Sequence, residues 1–192
     1  MKAILLAGAL SLTAVSALAA PVTYKMDPGH TYPSFEADHM GGVSKWRGKI
    51  NSTSGSVTLD KEAQTGSVEV TMDMTSIDFG HDGLNEHAKS EDMFNVAEHP
   101  TATYNGELVE WQDGAPTAVD GMLTLHGVSQ PVRLTLNSFK CQPHPQRGRE
   151  VCGADAEAEI DRSDFGVDFG QAFGFDMGVN LRIQVEALAL PE

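Results

Sequence analysis

The chain has 192 residues and a formal net charge of -14, with 27 acidic against 13 basic side chains. A hydrophobic share of 41% and a charged share of 21% exclude a disordered tail and a bundle of membrane helices, and the length fits one domain. So acidic a protein repels polyanions, which excludes nucleic acid as an expected partner.

Residues 1–19 read as an export signal. Lys2 supplies the positive start, residues 3–18 are apolar except for Ser11, Thr13 and Ser16, and Ala17-Leu18-Ala19 is a small-x-small cleavage site. The apolar run falls short of the ~20 residues of a membrane anchor. The mature domain is then residues 20–192, exported to the periplasm, with no later segment apolar enough for stable membrane insertion.

The remaining chain is dominated by period-two alternation, the mark of strands with one apolar and one polar face. It is present but weak over residues 34–39, 45–50 and 54–59, with turn signals at Gly41-Gly42 and across residues 51–55. Over residues 67–77 it is strong, with Val68, Val70, Met72 and Met74 set against Glu69, Thr71, Asp73 and Thr75. Residues 82–95 break the pattern: Leu84, His87, Ala88, Met93 and Phe94 fall near helical spacing, which predicts a short helical insert.

Alternation resumes over residues 101–111, then over 117–126 with Val119, Leu123 and Leu125 on one side, after an Asp113-Gly114 turn. A turn over residues 127–130 leads to a strand at 131–139, where Val132, Leu134 and Leu136 face inward and Arg133 and Thr135 outward. Cys141 and Cys152 flank ten polar and Pro-rich residues; in an oxidising compartment they predict a disulfide closing a loop between two strands. Residues 151–160 and 178–190 complete the set, the last with Val179, Leu181, Ile183 and Val185 on one face.

Long strands, strict alternation and a single helical interruption predict an all-β, elongated antiparallel barrel of about eight strands, an arrangement that also removes exposed sheet edges. Such a barrel is just wide enough to be filled by side chains or to hold one small ligand.

Specific residues carry a resemblance. Tyr24 to His30, Phe35, His39-Met40 and Trp46-Arg47-Gly48 resemble the opening of the YceI-like family of exported, lipocalin-like, polyisoprenoid-binding proteins. The match continues through Ser76-Ile77-Asp78, Asn85-Glu86-His87, Phe94-Asn95, Leu123 to Val128, and Ile160 to Gly166, so it spans the mature chain. Residues 79–81, the segment between the cysteines and residues 168–178 depart from the family pattern.

The resemblance implies a non-catalytic carrier whose apolar lumen holds an isoprenoid, quinone or fatty amphiphile, with no other cofactor and with a homodimer as a possible assembly. Inward candidates for that ligand are Phe35, Trp46, Val57, Met72, Met74, Ile77, Tyr104, Leu123, Leu125 and Phe165, joined by Leu84, Met93 and Phe94 of the helical insert. Methionine thioethers repack readily around an irregular guest.

Catalytic and metal signatures are weak by comparison. Of seven His, the nearest to a helical pair, His81 and His87, are six apart and point about 120° from each other on a helix, so no metal site is expected. No G-x-S-x-G elbow occurs. His126 before Gly127 is expected to fix a turn through its ring, and His30 to cap the first strand. Two alternatives stand beside the carrier: an enzyme acting on a lipid or quinone at the rim, and a side-chain-packed barrel serving as an envelope-stress interaction protein.

Overall fold

The computed structural model describes residues 20–191, so the export signal expected over residues 1–19 lies outside the described residues. Eleven strands form one antiparallel sheet: β1 (Val22–Met26), β2 (Tyr32–His39), β3 (Ser44–Ile50), β4 (Thr53–Asp60), β5 (Thr65–Asp73), β6 (Ile77–Asp78), β7 (Thr101–Gln112), β8 (Ala115–Leu125), β9 (Val128–Pro143), β10 (Glu150–Asp161) and β11 (Gly178–Ala189). The one α-helix among the described residues, α1 (Asp82–Lys89), lies between β6 and β7.

The sheet closes on itself. Strands β1, β4, β5, β7, β8, β9, β10 and β11 pair in that order, and β11 returns to β1 through Tyr24 opposite Ala189 and Met26 opposite Ala187. The same edge of β11 then pairs with β2, with Leu181 opposite Phe35. Thus β1 and β2 are two halves of one broken strand, as are β3 and β4, and β5 and β6. The result is the expected eight-stranded up-and-down barrel, whose first three strands are each interrupted once.

Two of the three interruptions are set by an aspartate. At Asp27, the carboxylate accepts from the Gly29 N–H at 2.9 Å and pairs with His30 Nδ1 at 3.1 Å, which turns the chain between β1 and β2. At Asp73, the carboxylate accepts from the Thr75 N–H and hydroxyl, folding Met74–Ser76 into a single 3-10 turn. The continuous strand expected over residues 67–77 therefore stops at Asp73 and restarts at Ile77, because a short acceptor side chain competes for the backbone donors. The opening strand β1 alternates over only five residues, too few to stand out in the sequence.

Two hairpin turns have positive φ at both central residues: Asp113 (51°) with Gly114 (79°), and His126 (52°) with Gly127 (76°). That geometry matches the twist of the flanking strands, so β9 begins at Val128, three residues earlier than alternation indicates. It also runs to Pro143, carrying Cys141 directly opposite Cys152 on β10, where the two form the expected disulfide. The helix is shorter than the 82–95 segment. It ends at Ser90, and the following turns are held by Phe94 N–H donating to the Ala88 carbonyl and Asn95 N–H to that of Ser90.

Candidate functional site

The inward faces of these strands do not meet in the middle. They enclose a cavity of ≈ 370 Å³ running from α1 to the disulfide, inside the ~300–1,000 Å³ range of small-molecule sites. The packed-barrel alternative does not fit this lumen.

Alternation places the wall as expected. Val68, Val70 and Met72 of β5, Val119 and Leu123 of β8, Val132, Leu134 and Leu136 of β9, and Val179, Leu181, Ile183 and Val185 of β11 all line it. Of the thirteen ligand candidates, twelve are on the wall: Phe35, Trp46, Val57, Met72, Met74, Ile77, Leu84, Met93, Phe94, Tyr104, Leu123 and Leu125. The thirteenth, Phe165, is 1% exposed and packs in the core cluster without reaching the wall. It sits in the 3-10 turn Arg162–Phe165, where its carbonyl bonds His126 Nδ1 at 3.1 Å. This bond anchors the His126-Gly127 turn, as the sequence suggests for that ring.

Close packing tailors the wall at two glycines. A Cβ at Gly121 would stand 2.4 Å from Tyr104 Cζ, and one at Gly48 would stand 2.5 Å from Phe35 Cζ. Both rings therefore lie flat across the neighbouring strand. The Tyr104 hydroxyl donates towards the carbonyls of Val132 at 2.8 Å and Val119 at 3.2 Å, so its polar end is satisfied within the wall. Burial pushes its pKa well above the usual phenol value.

The closed end carries a polar plug. Tyr24, 1% exposed, donates to Glu150 Oε2 at 2.7 Å, and Lys61 Nζ donates to Oε1 of the same carboxylate at 2.7 Å. Burial opposes ionisation of Glu150, but these two donors outweigh it and hold the carboxyl below its ordinary value. Cys141, Glu150 and Cys152 are the one group of three potential metal-binding side chains among the described residues, and both sulfurs are tied to each other in the disulfide.

The opposite end is a mouth formed by the β2–β3 loop, α1 with its following turns, and the segment between β10 and β11. Sequence reasoning missed most of its polar members. Asp38, His39, His87 and Arg162 all reach the cavity wall there. The Arg162 guanidinium, 8% exposed, donates from Nη1 to the Val167 carbonyl and from Nη2 to that of Phe169, both at 2.7 Å. Burial lowers its pKa, opposed by the nearby carboxylates of Asp161, Asp168 and Asp38. Arg162 thus staples the β10–β11 segment. Its place within the Ile160 to Gly166 motif is the only sequence signal for it.

Asp38 ties two loops together. Its carboxylate accepts from the N–H groups of Gly41 at 2.8 Å, Gly42 at 2.6 Å and Asp176 at 3.0 Å. These bonds, with that from Asp176 foremost, hold its pKa below the ordinary value. Aromatic side chains frame the opening: His39 stacks on Trp46 with ring centres 4.1 Å apart, Phe175 packs edge-on against His39, and Phe169 edge-on against His87. The His side chains pack here as aromatic faces.

Comparison with known proteins matches this architecture. The pattern of the YceI-like domain matches residues 24–187. A UPF0312 protein of Pectobacterium carotovorum subsp. carotovorum is 34% identical, covering 93% of this chain and 95% of its own length. Protein YceI of Escherichia coli is 32% identical, covering 93% of this chain and 92% of its own. Among solved structures, Burkholderia cenocepacia BcnA superimposes with a TM-score of 0.65 at 20% identity, over 84% of this chain and 99% of its own. A polyisoprenoid binding domain from Saccharophagus degradans gives 0.62 at 15% identity, over 88% and 99%. These two show likeness of fold.

Proposed function

The chain belongs to the YceI-like family, and from that premise we propose that it is a non-catalytic binding protein that takes an isoprenoid, quinone or similar long-chain amphiphile into the barrel. The single observation that carries this reading is the continuous apolar cavity between α1 and the disulfide. Each buried methylene of a guest contributes about 0.8 kcal/mol, so a chain-like molecule gains affinity without directional contacts. Three polar side chains at the wall are already partnered, Tyr104 with carbonyls, Tyr24 with Glu150 and Arg162 with the loop it staples, and the Thr53 hydroxyl is an unpartnered group on a mostly apolar lining. Guest recognition is therefore by shape and burial, with the headgroup left at the mouth beside His39 and His87.

The fold likeness to a polyisoprenoid binding domain supports the same class of guest. Together with the export signal expected at residues 1–19, it supports a carrier or scavenger role in the periplasm. The test is extraction of the purified protein with organic solvent and mass spectrometry of the extract. The expected result is a long-chain amphiphile in near-stoichiometric amount. Repeated recovery of no lipid, together with failure of a fluorescent polyprenyl probe to bind, would overturn the proposal.

A further inference from the structure

Two loops at the mouth combine an absence of charge with exposed apolar side chains. Residues 39–44 and 169–175 together contain no Asp, Glu, Lys or Arg, although 21% of the whole chain is charged. They also hold four of the eight large apolar side chains that are exposed among the described residues: Met40, Val43, Phe169 and Phe173. Val43 is 74% exposed and Phe173 76%, a level that burial elsewhere in the fold does not explain.

The loops form one surface. A Cβ at Gly41 would stand 2.9 Å from the Gly174 carbonyl oxygen, and Asp38 accepts hydrogen bonds from Gly41 in the first loop and from Asp176, the residue that follows the second. Phe173 projects from the 3-10 turn Gln171–Phe173, set between Gly170 and Gly174, both with positive φ. The surface is also continuous with the lumen, because Phe169 and Phe175 of the same segment line the cavity. An apolar track thus runs from the interior to the outside.

We propose that this uncharged lip docks the protein on the surface of a bilayer of zwitterionic lipids, where Val43, Met40 and Phe173 enter the interface and the mouth faces the membrane. The proposal rests on the amphiphile-binding reading, for a long apolar guest crosses between bilayer and barrel without meeting water only if the rim is itself apolar and in contact with the lipid. Exposed aromatic and aliphatic side chains on a loop partition into the interface by burial of apolar area. The charge pattern selects the surface. Asp38, Asp168 and Asp176 directly flank the lip against one flanking cation, Lys45, and the whole chain carries -14, which disfavours anionic headgroups but not neutral ones.

Flotation with vesicles of phosphatidylcholine and phosphatidylethanolamine tests the proposal, using the full mature chain, a Val43→Asp/Phe173→Asp variant and a milder Val43→Ser/Phe173→Ser variant. Neither residue lines the cavity. The expected result is that the wild type floats with the vesicles and the Asp variant partitions at least about tenfold less, with the Ser variant between them. Affinity of both variants for a soluble fluorescent fatty-amide probe is expected to stay within about twofold of wild type. A wild type that stays off the vesicles, or an Asp variant that floats equally well, would overturn it. So would sedimentation showing a wild-type dimer that the Asp variant abolishes, since the lip would then pair two copies. Failure of the probe to bind the wild type would instead remove the amphiphile reading, whatever the flotation shows.

Discussion

The hydroxyl of Tyr24 and the carboxylate of Glu150 meet at 2.7 Å across 126 positions of chain, tying the first strand of the ring to the start of the seventh. Tyr24→Phe keeps the ring that lines the lumen and removes only this donor. The expected cost is about 1 kcal/mol by chemical denaturation, below the usual range for a bond to a charged acceptor because Glu150 is partly screened by water. Glu150 has a lowered folded pKa, so its contribution is present above its unfolded value and is lost as pH falls through the folded one. The difference between wild type and Tyr24→Phe is accordingly expected to shrink as the pH is lowered below 4.5, the ordinary value of the group.

Ala156 lies on the cavity wall and is 3% exposed. Ala156→Leu projects three further carbons into the lumen. The variant is expected to retain its melting temperature or raise it, since it fills empty space, and to lose amphiphile binding. Titration with a fluorescent polyprenyl probe beside thermal denaturation separates the two effects. Loss of binding with loss of folding would not meet the expectation.

Gly121 lies where Tyr104 crosses the sheet. Gly121→Ala forces the ring away and breaks its bonds to the Val119 and Val132 carbonyls. A destabilisation of about 1–3 kcal/mol is expected, as for overpacking elsewhere in cores. Denaturant titration reads it, and a shifted tyrosine absorbance would show the phenol re-exposed.

Cys141 and Cys152 close a short loop at the far end of the β9–β10 hairpin. By loop entropy, replacing both with Ser is expected to cost about 3 kcal/mol. Reduction of the wild type with dithiothreitol should lower the melting temperature by a similar margin, and should leave the double Ser variant unchanged.

Asp38 holds the lip through three backbone donors. Asp38→Ala is expected to speed hydrogen exchange at the Gly41, Gly42 and Asp176 amides while leaving the β8–β9 core protected. For the wild type the same release is expected in acid. The folded pKa of Asp38 is depressed, so its hold is complete above the ordinary carboxylate value of 3.8 and fades as pH drops through the folded value.

Much of the wall could be read from the sequence because a strand buries every second residue. Val132, Leu134 and Leu136 alternate with Arg133 and Thr135, and that alone fixes which side chains reach the lumen. Phe165 shows where the rule stops. It lies in a 3-10 turn, has no periodicity to assign it a face, and packs beside the lumen instead of on it. The mouth is harder still to read. Phe169, Phe175, Asp38 and Arg162 come from loops and loop junctions whose paths depend on hydrogen bonds such as Asp176 to Asp38, across 138 positions. Resemblance supplied the cavity itself, because alternation predicts an apolar interior equally well for a full barrel and a hollow one.

The ring is completed where β1 and β11, the first and last strands among the described residues, meet. The barrel therefore stays an open, curled sheet until β11 is in place, and its apolar inner face is shut off from water only then. A truncation that deletes β11 should accordingly yield an aggregating chain, its inner faces and two sheet edges left bare.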